Sequence, residues 1–244
     1  MNRILLMLAI LIGILCSQSF VYAVPALHDY AFQVNGSLYA RSYPGGMDGS
    51  GFDTNTGLGR LVIQFPKGNP GNYTFRAFFD HEVEETTNGF DNENGGTGGG
   101  ALGAGQSWEI GEPGYQTGNV YGHFLDGVLG NTNGVGGGMR DDTSMAMGWS
   151  FSLAAGESAR VTLVLTQDAG QVPANLFYLM HEDGESGERV YFWGQLEKVG
   201  DEPPGPEPEV VVSVPVLTPI GMLGLLGGIG ISALAMIRRR KKRD

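Results

Sequence analysis

The chain has 244 residues, with 15 Lys+Arg against 26 Asp+Glu and a formal net charge of −11. A field of that sign repels phosphate backbones and speaks against nucleic acid as a partner. A single cysteine, Cys16, excludes an intramolecular disulfide framework.

Met1 to Ala23 carries one basic residue, Arg3, then an uncharged apolar run from Ile4 to Leu15, then a more polar end closing on Val21-Tyr22-Ala23. The small residues Val21 and Ala23 suit signal peptidase, so residues 1–23 read as a secretory signal cleaved after Ala23. The apolar run is short for a span of about 20 residues. Leu15 is not the small residue that lipidation of Cys16 would want. Cleavage removes the only cysteine, so the exported chain enters an oxidising compartment held by its core or by bound ligands. Arg3 lies in the signal and six basic residues lie at 238–243, which leaves 8 basic against 25 acidic residues between, a formal charge of −17. Cations or a mildly basic matrix suit such a surface better than polyanions.

Residues 24–200 are long enough for one domain. Their dominant pattern has period two. Leu61, Ile63 and Phe65 share a face, as do Tyr73, Phe75, Ala77 and Phe79; later Met147, Trp149, Phe151 and Leu153 do, then Val161, Leu163 and Leu165. ERVYFWGQL reads as the last strand. PKGNPGN, LAAGES and HEDGESGE supply turn chemistry between strands. The pattern predicts an all-β domain, an antiparallel two-sheet sandwich of jelly-roll or immunoglobulin-like type. From Gly95 to Gly138 glycine takes 17 of 44 positions, a bias that predicts long loops with short extended pieces around SWEI and NVYGHFL. Such loops carry function in some proteins and are surface filler in others.

Residues 201–213, opening on DEPPGPEPE, read as an extended, solvated spacer. Charge is then absent from Val210 to Ile237, a length that reaches a membrane span, and RRRKKR follows it. The positive-inside rule puts that basic end in the cytoplasm and the domain outside.

Residues 214–244 thus combine a short proline motif, an apolar helix and an arginine cluster. This plan resembles the bacterial C-terminal sorting tags called PEP-CTERM and, more closely, IPTL-CTERM. In VPVLTPIG, Val214, Pro215, Leu217, Thr218 and Gly221 fit the latter motif, and Arg238, Arg239 and Arg240 open the basic cluster; Val216 and Ile220 depart from its usual threonine and tryptophan. The resemblance implies cargo of an exosortase-type sorting protease in a Gram-negative bacterium, membrane-anchored as a precursor, cut at the tag and passed to the cell surface or extracellular matrix. An ordinary tail anchor is the alternative. DDTSMAMGWSFSLAAGESARVTLVLTQ and NLFYLMHEDGESGERVYFWGQLE also resemble segments of sandwich domains in sorting-tag proteins, where a DD-x-S stretch enters a strand and LAAGE makes a hairpin turn.

Few residues suggest chemistry. DHEVEE puts Asp80, Glu82 and Glu84 on one strand face about 7 Å apart, within the range of glycosidase carboxylates, although a solvated, charged strand edge is the simpler reading. His28, His81, His123 and His181 show no zinc-binding spacing, and no G-x-S-x-G elbow is present. DGSGFDTNTG and GFDNENGG alternate oxygen-bearing side chains with glycine, so Asp48, Asp53, Asn55, Asp91, Glu93, Asp141 and Asp142 are the candidate calcium ligands. Otherwise no cofactor and no catalytic residue is expected. Two functions follow. One is a non-enzymatic exported surface or matrix protein. The other is a carbohydrate-binding or carbohydrate-active domain, with exopolysaccharide as partner, in which Trp108, Tyr115, Tyr121 and Phe124 would stack on sugar rings while Trp149 and Trp193 serve the core.

Overall fold

Every strand with a clear alternating pattern forms, and its apolar phase points inward. The computed structural model describes residues 24–83, 90–114, 119–136 and 140–200. Residues 1–23, 201–213 and 214–244, read from the sequence as signal, spacer and sorting tag, lie outside the described residues, as do Glu84 and Tyr115.

The first sheet has the order β2-β1-β5-β9-β7-β8, made from β1 (Ala26–Val34), β2 (Ser37–Ala40), β5 (Gly71–Glu82), β7 (Gln106–Gly111), β8 (Thr132–Asn133) and β9 (Ser144–Leu153). The second has the order β3-β4-β10-β12-β11-β6, made from β3 (Met47–Asp53), β4 (Leu58–Phe65), β6 (Glu93–Gly99), β10 (Ser158–Thr166), β11 (Phe177–Asp183) and β12 (Arg189–Val199). All neighbours are antiparallel except the short β7–β8 pair.

Register explains the core. Phe32, Ala77, Met147 and Trp108 line up across β1, β5, β9 and β7, as do Val34, Phe75, Trp149 and Gln106. Opposite them, Leu61 aligns with Leu163 and Gly194. The two inner faces meet in one apolar cluster, where Phe79 packs edge-on to Phe192 at 5.1 Å. Gly194 permits close approach: a Cβ there would stand 2.6 Å from the Trp149 ring. Burial of large side chains on both inner faces holds the two sheets together.

The glycine-rich stretch departs from expectation. ENGGTGG is the edge strand β6, paired along its length with β11, instead of a loop. A Cβ at Gly98 would stand 2.3 Å from the Tyr178 hydroxyl, so glycine here makes room for a neighbouring side chain as much as it loosens the backbone. NVYGHFL is a helix instead of an extended piece: α1 (Val120–Asp126), with Asn119 capping its start through Gly122 N–H and Gly127 ending it in the left-handed conformation. Val120 and Phe124 of α1 cover Ala31, Phe78 and Ala146 on the outer face of the first sheet, a second small core. LAAGES does not close a hairpin. It carries the chain from β9 in one sheet to β10 in the other, turning on the Glu157 N–H to Ala154 carbonyl bond.

Candidate functional site

At one end of the sandwich the inner faces change from apolar to ionisable. The inward phase of β5 runs through Phe75, Ala77 and Phe79 to His81; that of β11 runs through Leu179 to His181 and Asp183. Both histidines and Asp183 have no exposed surface, and the rings stand 6.5 Å apart. Glu93, 1% exposed at the start of β6, holds this end together. Its Oε1 accepts from Val83 N–H (3.3 Å), and its Oε2 accepts from Thr143 N–H (3.0 Å). The same Oε2 lies 2.8 Å from His181 Nε2, close but not aligned as a hydrogen bond. Asp183 Oδ1 accepts from the backbone N–H of Glu185 and Ser186, and Oδ2 accepts from Asn92 Nδ2. His81 Nε2 meets the Gly57 carbonyl at 3.2 Å.

Burial governs the charges. Loss of water pushes His81 down to about 3, with His181 adding to the shift and the Gly57 carbonyl opposing it. Burial likewise pushes His181 down to about 4 against the pull of Asp142 and Asp183. The half-buried Asp142 is pushed up to about 6, by burial first and by Glu93 next. Both rings are therefore neutral at pH 7, and Nδ1 of each has no hydrogen-bond partner, nor have Asn92 Oδ1 and Asp142 Oδ1.

The candidates from sequence scatter over this frame. Glu93 and Asp142 come together with His181, while Asp141 stays exposed and donates its N–H to the Glu93 carbonyl. Asp91 is exposed in the turn Phe90–Asn92. Asp48 and Asp53 are exposed and serve their own turns, accepting from Ser50 and Asn55 N–H, which holds both carboxyls below the usual range. Asn55 adds a side-chain bond to Asp53 at 3.1 Å. Among the described residues no three His, Asp or Glu side chains stand in metal-holding geometry. Asp80 and Glu82 are not a solvated edge: β5 lies inside its sheet, and they are 1% and 8% exposed. Among the aromatics, Phe124 is fully buried under α1, Tyr121 stacks on it at 5.9 Å, and Trp108 is half-buried against Phe177. Trp149 is core at 2% exposure, whereas Trp193 is half-buried on the opposite phase from Phe192.

A second feature, absent from the sequence reading, adjoins this end. Glu109 on β7 and His123 on α1 meet at 2.6 Å between Oε1 and Nδ1 beside a cleft of about 350 Å³, which Asp141 also lines. Nothing in the spacing of 14 residues announces this pair; the packing of α1 on the sheet creates it. Among the described residues no helix is long and apolar enough to cross a membrane. Comparison with protein-family models, with curated proteins and with solved structures finds no match for this chain.

Proposed function

We propose that the chain is a non-enzymatic, exported β-sandwich module displayed at the surface or in the extracellular matrix of a Gram-negative bacterium, after an exosortase-type membrane protease reads and cuts its tail. The observation that carries this reading is the junction at the end of the head. β12 ends at Val199, the acidic proline spacer starts at Asp201, and the proline motif, apolar stretch and basic cluster follow without another element's worth of sequence between. A jelly-roll-type topology suits it better than an immunoglobulin-like one, because the chain crosses between sheets repeatedly: β1 and β2, then β3 and β4 opposite, β5 back, β6 opposite, β7 to β9 back, and β10 to β12 opposite.

Replacing Arg238, Arg239, Arg240, Lys241, Lys242 and Arg243 by neutral residues tests the reading, since their charge is what retains the tail on the cytoplasmic side. Unprocessed or misrouted precursor is the expected result in cell fractions. Unchanged processing and surface delivery would refute the sorting role of the cluster.

A further inference from the structure

We propose that the cleft lined by the β6–β7 loop, β9, the start of β11 and the end of β12 binds a small apolar acid, an aromatic or alkyl body with one anionic head group, and that Lys198 meets the head. The cleft has a volume of about 390 Å³, room for one such molecule. Its floor is apolar. Trp149, Phe177 and Leu196 line it, and Phe177 and Leu196 stay half-buried while Leu179 and Phe192, on the same inward phase of their strands, are fully buried. Ala101 and Ala104 of the loop add methyl groups and no charge. A ligand body that covers this surface removes apolar area from water that the fold itself leaves wet.

Charge selects the head group. Among the described residues lining the cleft, Lys198 is the only titratable side chain, and no carboxylate joins it. Lys198 follows Phe192, Gly194 and Leu196 on the inward phase of β12, whereas its chain neighbour Glu197 lies on the other phase and accepts from Arg160 Nε at 2.9 Å. No described carboxylate forms an ion pair with Lys198. Its ammonium only donates and carries a full charge, so an anionic acceptor answers it, a cation is repelled, and a neutral group forgoes the charge. The amides of Gln106, Asn175 and Gln195 also line the cleft, but amides both donate and accept and so leave that choice to Lys198. The acidic surface at large repels polyanions, which restricts the ligand to a single charge on an apolar body. This binding goes beyond surface display and does not depend on it, so either can fail alone.

Isothermal titration of the full-length protein in detergent micelles tests this, against a blank titration into empty micelles. The acids are phenylacetate, indole-3-acetate, hexanoate and octanoate, with phenylacetamide and phenethylamine as the neutral and cationic comparisons. Saturable binding of at least one acid is expected, and the aryl and alkyl arms tell an aromatic ligand from a fatty acid. Lys198→Met keeps an unbranched side chain without the charge and should weaken binding roughly tenfold. Lys67→Met, at an exposed lysine between β4 and β5, should leave it unchanged. In the wild type the same acid should shift the indole N–H resonance of Trp149, which lines the cleft. No saturable binding by any of the acids, equal affinity in Lys198→Met, an unmoved Trp149 resonance, or equal binding of the amide or the amine would overturn the proposal.

Discussion

Phe79→Ala should lower the stability of the head by about 3–5 kcal/mol, among the largest effects of any single truncation in it. Phe79 is fully buried in the middle of the core and joins three strands of both sheets, with ring contacts to Phe32 at 5.9 Å, Phe52 at 5.8 Å and Phe192 at 5.1 Å. Truncation removes apolar burial and leaves a cavity walled by aromatic rings too rigid to fill it. In a domain of this size the loss should lower Tm by roughly 10 °C. Val128→Ala, at a side chain 67% exposed, should stay within about 0.5 kcal/mol of wild type. A Phe79→Ala protein that melted with the wild type would mean that the sheets do not pack as described.

Acid should loosen the head well above the usual carboxylate range. The buried histidines have folded-state values of about 3 and about 4, both below the ordinary imidazole value of about 6.5, so the unfolded chain takes up their protons first. Stability from them is complete above pH 6.5 and is lost as pH falls toward those values. Asp142 works in the opposite sense. Its folded value of about 6 lies above the ordinary aspartate value of 3.8, so the folded protein gains stability as pH falls below 6. Between pH 7 and pH 5 the two histidines together withdraw about 4 kcal/mol, and Asp142, partly screened by solvent, returns less than about 1. The net loss of about 3 kcal/mol should appear as a fall in Tm of roughly 6–12 °C. His81→Gln/His181→Gln removes both titrations and should flatten the curve over this interval, whatever its absolute Tm. A wild-type Tm constant from pH 7 to pH 5 would show that the rings are solvated or already charged.

The strands around Leu61, Phe75, Trp149, Leu163 and Phe192 were legible because each repeats apolar residues at every second position, and burial rewards that phase directly. The same phase pointed to the polar end. His81 follows Phe79 and His181 follows Leu179 on the inward face, but an ionisable residue at an apolar position reads as the strand running out, when here the strand continues and buries it. Burial of Asp80 and Glu82 was hidden for a related reason: DHEVEE resembles an edge, and only the pairing of β5 with β1 and β9 makes it central. β6 was illegible because GGTGG lacks every strand-favouring side chain except threonine; its backbone pairs with β11, whose Met180 and Tyr178 occupy the room that missing Cβ atoms leave. The helix α1 did carry signals in Asn119, Gly127 and the Val120–Phe124 spacing, overridden by the glycine bias around them. The Glu109–His123 pair depends on the docking of that helix, a tertiary event without a local signature.

Mass spectrometry of the C-terminal peptide of surface-released protein tests the sorted-module reading most directly. That reading predicts a mature C-terminus within Pro215–Gly221, with the apolar stretch and the basic cluster gone. A peptide running intact through Asp244 on the surface form would contradict it and make the ending a plain membrane anchor.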